Sequence, residues 1–171
     1  MDITRLAKIF RILLVALMIG TVAFIFINSM LPAEESQEQS DTIKDVILEV
    51  LPEDSKAYSF VDEYIRKIAH FTEYGLLGIE VAVYIALYER RRLRRAPLAL
   101  LLPLFVGFID ESIQIISDRG PTISDVWIDI GGFATFFCLA LLVLCFVYLL
   151  VQLVRKRLLS ANEDREAVSE E

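Results

Sequence analysis

Four runs of about twenty residues with very few charges constrain this chain most. A helix needs about twenty mostly apolar residues to cross the hydrocarbon core of a bilayer. The runs cover residues 12–31, 65–88, 98–116 and 126–154. The first is free of charge. The second carries Lys67, His70, Glu73 and Glu80. The third is apolar until Asp110, Glu111 and Gln114, and the fourth is almost pure Leu, Val and Phe after Asp129. Short alternating segments of the membrane β-barrel kind do not appear. The expectation is therefore an all-α integral membrane protein, a four-transmembrane-helix bundle.

Composition agrees once its arrangement is considered. Hydrophobic residues make up 56% of the chain, above the ~45–50% of soluble domains. The net charge of −7 misleads, because the charges sit in blocks between the apolar runs. Two Cys and one His argue against a disulfide scaffold and a Cys/His zinc cluster. No basic tract interleaved with aromatics points to nucleic acid.

The first run reads as an uncleaved signal anchor. It is longer than a signal peptide's apolar core, and Leu31-Pro32-Ala33 is a poor cleavage site. Lys and Arg cluster on the cytoplasmic side of membrane helices. Three basic blocks follow that rule: Arg5, Lys8 and Arg11; Arg90, Arg91, Arg92, Arg94 and Arg95; and Arg155, Lys156 and Arg157. Both termini are then cytoplasmic, while the acidic segment 32–63 and the turn 117–124 lie outside. Within that segment Ile43, Val46, Ile47, Val50 and Leu51 have helical spacing. They predict an extracytoplasmic amphipathic helix, capped by Ser40 or Asp41, stopped by Pro52, and lying on the membrane or over the bundle. Ser59 with Asp62 resembles a capping box for the next helix. The polar tail 162–171 has the composition of a disordered segment. Four parts result: residues 1–31, the anchor; 32–63, the acidic segment; 64–136, a polar-bearing core; and 137–171, the last span and tail.

Ionisable residues inside a membrane are costly and usually have a role. Here they fall at one depth in three helices. With a helical advance of about 100° per residue, Lys67, His70, Glu73, Tyr74 and Glu80 span an arc of about 140°. Gly107, Asp110, Glu111, Gln114, Ser117 and Asp118 lie within about 120°, and Asp125, Asp129 and Gly132 within about 60°. Three polar faces at one depth predict a hydrated pocket open to the outside, with Arg119 in the turn beside it. The alternative is interhelical glue, in which Lys67, His70 and Arg119 neutralise Glu73, Glu111 and Asp129. Gly75, Gly78, Gly107, Gly131 and Gly132 suit close helix approach, and Pro103 a kink. Cys138 and Cys145 read as reduced packing residues, and Trp127 as an interfacial anchor.

Lys67-Ile-Ala-His70-Phe71-Thr-Glu-Tyr74 resembles the K-x-x-H-F-x-x-Y signature of VanZ-like membrane proteins. Asp110-Glu111-Ser-Ile-Gln114, then Arg119, then Asp125-Val-Trp-Ile-Asp129-Ile-Gly-Gly132 resembles that family's second block. The motifs cover about residues 64–136. Asp129 stands where the family often has Asn, and Phe136 where a small residue often follows. The resemblance implies a bacterial integral membrane protein of the cell envelope. The family is named for a protein linked to low-level resistance to the glycopeptide teicoplanin.

Three functions fit these residues. In the first, the pocket binds or processes an envelope lipid or phosphate-bearing precursor, such as a lipid-linked cell-wall intermediate. Lys67 and Arg119 would grip phosphate. His70 would serve as acid or base, with Glu111 orienting it or acting as partner base. Tyr74, Gln114, Asp125 and Asp129 complete the substrate-binding set, and Asp125 and Asp129 are the pair that can hold a divalent cation against the anion. No nucleophile motif is present, so whether the chain is an enzyme is left open. The second function is a proton- or ion-coupled transporter, with a second copy helping to form the path. The third is an accessory protein that recognises an envelope partner through its acidic outer helix.

Overall fold

The computed structural model describes residues 3–88, 101–117 and 123–169. Five helices account for nearly all of them: α1, Ile3–Met30; α2, Ala33–Leu48; α3, Lys56–Tyr88; α4, Leu101–Ile116; and α5, Ile123–Ser169. Three are long and apolar enough to cross a membrane, over Thr4–Met30, Lys56–Leu87 and Ile123–Ser160. The third expected span corresponds to α4. Its 16 residues extend about 24 Å at ~1.5 Å per residue. The expected start of that span at Leu98 lies outside the described residues, as does the Arg90–Arg95 block.

The middle of the bundle is α3, which packs along α5 and also touches α1 and α2. Glycines make the α3–α5 seam. A β-carbon on Gly78 would meet the backbone of Phe133, and one on Gly132 the backbone of Phe71. Gly75 lies under the ring of Phe136, and that ring meets Phe71 edge-on at 5.9 Å. The large residue at position 136 therefore keeps the helices close, because a glycine opposite makes room for it. Below this seam Ile25, Tyr74, Leu77, Val81, Val106, Phe133 and Phe137 form the core. Leu142, Phe146, Leu149 and Leu153 point outward along α5. Such a surface suits lipid and would be an aggregation hazard in water.

Several local expectations are corrected. The helix of the acidic segment starts at Ala33, directly after Pro32, rather than near Ser40. Proline lacks an N–H that a helix start does not need, and Glu34 and Glu35 favour the positive end of the helix dipole. Ser40 lies inside α2 and donates to the carbonyl of Ser36 at 2.9 Å. Glu49 ends the helix by donating its N–H to Asp45 at 3.0 Å. α2 docks on α3 through Lys44, 3.2 Å from Asp62 and 3.4 Å from Asp41. These two carboxylates hold the Lys44 ammonium above its ordinary range. The apolar face of α2 is only partly covered, for Ile43 and Val46 are exposed, as is Val50 in the turn that follows.

Ser55, rather than Ser59, caps α3; its hydroxyl accepts the N–H of Tyr58 at 3.1 Å. The helix breaks at Tyr64 (φ −119°, ψ 15°), one residue before the expected start of the second span. Cys138 and Cys145 are free thiols but exposed rather than packed. Trp127 is exposed near the start of α5. Instead of ending in a disordered tail, α5 continues to Ser169.

Candidate functional site

The polar residues meet at the end of the bundle where α1 and α4 finish and α5 begins. Helical spacing puts His70 and Tyr74 of α3 one turn apart on the same face. The same spacing aligns Asp110 with Gln114 on α4. Asp129 enters from α5 one turn before the Gly132 contact that draws α5 against α3.

Asp110 is fully buried and well held. Ser29 of α1 donates its hydroxyl to Asp110 Oδ1. Tyr74 Oη and Gln114 Nε2 each donate to Oδ2 at 3.4 Å. Ser117 donates to the carbonyl of Ser29 at 2.8 Å, so α4 and α1 are tied beside the carboxylate. His70 Nδ1 is 3.4 Å from Asp129 Oδ1 and 3.8 Å from Asp110 Oδ2. Asp129 is fully buried, and neither of its oxygens has a hydrogen bond among the described residues. Both oxygens of buried Glu111 share that condition. Gly107 leaves space here, since a β-carbon there would sit 3.5 Å from Asp129 Oδ2.

Two clefts open onto His70. One, of about 300 Å³, lies between α3 and α5 and is lined by Glu63, Tyr64, Arg66, Lys67, His70, Ser124, Asp125 and Ile128. The other, of about 210 Å³, lies between α1, α2 and α3 and includes Asn28, Ser29, Ser36, Arg66, His70 and Glu73. Arg66 and His70 line both.

Of the residues singled out in the sequence, His70, Tyr74, Gln114 and Asp129 gather around Asp110. Lys67 and Asp125 stand at the rim of the larger cleft, and Glu111 is buried next to Asp110 in the chain. Arg119 lies outside the described residues. The expected neutralising pairs are only partly present: His70 approaches Asp129, but Lys67 Nζ sits 5.4 Å above the Tyr64 ring. Glu73 accepts from Asn28 at 3.0 Å. Deeper in the bundle, Glu80 accepts from Thr21 at 2.8 Å.

The sequence reading missed Arg66 and the polar face of α1. Thr21, Asn28 and Ser29 are seven and eight residues apart, which places them on one side of a helix. That spacing is the signal, and it is hidden inside a run apolar enough to pass as a plain anchor.

His70 beside two carboxylates can move a proton, hold a cation or carry a positive charge toward an anion in either cleft. No curated protein and no solved structure matches the chain. A family model for VanZ/LLP1 proteins matches residues 11–150, taking in α1 and α2 as well as the motif region. The chain therefore belongs to the VanZ/LLP1 family.

Proposed function

We propose that this VanZ/LLP1 protein crosses a bacterial cytoplasmic membrane four times, with both termini inside. Its larger cleft faces outward and binds the phosphate-bearing head group of an envelope lipid. The observation that carries this reading is the cleft lining. Arg66 and Lys67 flank an opening with His70 along its wall. Guanidinium and ammonium groups are the usual partners of phosphate, and Arg engages it through two parallel hydrogen bonds. At the depth where lipid head groups meet the hydrocarbon, the apolar outer face of α5 accommodates the acyl or prenyl chain. His70 is placed to exchange a proton with the bound phosphate, with Asp129 behind it. Tolerance of teicoplanin would follow if the head group belonged to a cell-wall precursor.

The test is binding of a polyprenyl phosphate to the purified protein in mild detergent. The wild type should bind, and Arg66→Ala with Lys67→Ala should weaken binding at least tenfold while leaving the fold intact. Absence of binding to the folded wild type would refute the reading.

A second reading has one observation in its favour. Ile43 and Val46 on α2 and Val50 just beyond it are exposed beside a row of acidic residues, as in a partner-binding helix. Deleting residues 36–54 separates the two. A partner-binding protein would lose its function entirely, and a head-group binder would keep part of its affinity.

A further inference from the structure

We propose that His70, Asp110 and Asp129 form a binding site for one divalent transition-metal ion of the zinc or manganese kind. The site lies between α3, α4 and α5. It does not depend on what the larger cleft binds.

Geometry comes first. One ligand atom from each residue lies within 4.8 Å of the other two. Tetrahedral zinc, with bonds of ~2.0–2.1 Å, separates its ligand atoms by about 3.4 Å. His70 Nδ1 and Asp129 Oδ1 are already 3.4 Å apart, and Nδ1 and Asp110 Oδ2 are 3.8 Å apart. The two carboxylate oxygens, at most 4.8 Å apart, would have to draw in by up to about 1.4 Å to share one tetrahedral ion.

The second observation is independent of spacing. His70 Nδ1 and Asp129 Oδ1 are buried and face each other, yet neither makes a hydrogen bond among the described residues. Asp129 is fully buried, so water does not satisfy it from bulk. A buried carboxylate whose one near partner is an imidazole at 3.4 Å, with no hydrogen bond, is expensive. A buried nitrogen and a buried oxygen 3.4 Å apart with no hydrogen bond between them suit two ligands of one cation.

Charge points the same way. Asp110, Asp129 and Glu111 crowd together. Among the described residues His70, charged only when protonated, is the one basic group within 4 Å of any of them. A divalent ion balances the two ligating carboxylates.

The surroundings suit a ligand set. Ser29 pins Asp110 Oδ1, while the bonds from Tyr74 and Gln114 to Oδ2 are long at 3.4 Å. Such partners orient a metal-binding carboxylate and leave the second oxygen available. One imidazole with carboxylates favours zinc, manganese or iron; calcium prefers six to eight oxygens, and thiolates are lacking here. Both clefts reach His70, so an ion has a route in.

The experiment uses the full chain in mild detergent, stripped with a chelator and then exposed to Zn²⁺ or Mn²⁺ alone. Elemental analysis should find one ion per chain, with a raised melting temperature. Asp129→Asn should lose the ion, and Glu80→Gln, a buried acid elsewhere, should keep it. If Asp129→Asn does not fold, the wild type with Co²⁺ decides, because a tetrahedral nitrogen–oxygen site gives intense visible absorption and hydrated cobalt does not. Less than stoichiometric metal in folded wild type would overturn the proposal. So would retention of the ion by folded Asp129→Asn, or a cobalt spectrum equal to that of the free ion.

Discussion

Adding one methyl group to Gly132 tests the seam that brings the site together. In Gly132→Ala the new β-carbon would lie 2.9 Å from the Phe71 carbonyl carbon and 3.0 Å from its Cα. Carbon atoms rest at about 3.5–4.0 Å, so α3 and α5 must part by roughly 0.5–1 Å. A gap of that size forfeits about a quarter to a half of each dispersion contact along the seam. The obstacle is backbone, and no side chain can rotate away. Overpacking of this kind costs about 1–3 kcal/mol. Alanine's better helix propensity returns up to about 1 kcal/mol, and the net loss should be about 1–2 kcal/mol. Gly78→Ala, which also meets backbone, should behave alike. Gly75→Ala should cost less, because it meets the ring of Phe136. Gly20→Ala has nothing within 4 Å and should match or exceed wild type. The assay is reversible unfolding in mixed micelles by titration with a denaturing detergent, followed by circular dichroism. If Gly132→Ala and Gly20→Ala unfold together, close backbone packing is not what joins α3 to α5.

Glu111→Gln removes a buried charge that has no hydrogen-bond partner among the described residues. Its melting temperature should equal or exceed that of wild type, and a marked fall would mean that the carboxylate is structurally paired. Thr21→Val deletes the 2.8 Å bond to Glu80 and should cost about 1 kcal/mol, the usual worth of such bonds between membrane helices; no change in the same unfolding assay would contradict a structural role. Orientation can be read by labelling. With Cys138 and Cys145 replaced by Ser, a cysteine at position 38 should react with a membrane-impermeant maleimide on intact cells. One at position 165 should react only after lysis. The reverse pattern would invert the proposed topology.

Three of the four expected spans were legible because lipid selects for long apolar runs, and that signal survives without any knowledge of packing. The meeting of His70, Asp110 and Asp129 was legible for a related reason. Topology set their depth, helical periodicity set their face, and burial of charge made both informative. Residues with weaker preferences were harder to place. Ser40, Ser55 and Ser59 are equally plausible caps on composition, and the choice among them rests on where Pro32 and the docking of α2 on α3 let each helix begin. Phe136 looked like a departure from close packing until Gly75 was found opposite it, and size complementarity of that kind belongs to pairs of positions rather than to either residue. For Glu111 the sequence leaves two roles open, a partner for His70 or one half of a neutralising pair, and Arg119, a candidate for that pair, lies outside the described residues. Its two oxygens are buried and make no hydrogen bond among the described residues, which three-dimensional positions alone reveal.

The largest omission concerned α1, and it changes what an anchor does in this fold. A helix needed only to hold the chain in a bilayer gains nothing from Thr21, Asn28 and Ser29 on one side. Lipid would make each of them a cost. Here each meets a carboxylate: Thr21 reaches Glu80, Asn28 reaches Glu73, and Ser29 reaches Asp110. The partners lie on α3 and α4, so α1, long and apolar enough to cross a membrane, also closes a wall of the polar centre. The extent of the family match, which begins at residue 11 rather than at the histidine motif, agrees with α1 being part of the working unit. The site is therefore a four-helix construction in which Asn28 and Ser29 of α1 hold Glu73 and Asp110 while Thr21 holds Glu80 deeper down, leaving Asp129 and Glu111 as its carboxylates without a hydrogen-bond donor among the described residues.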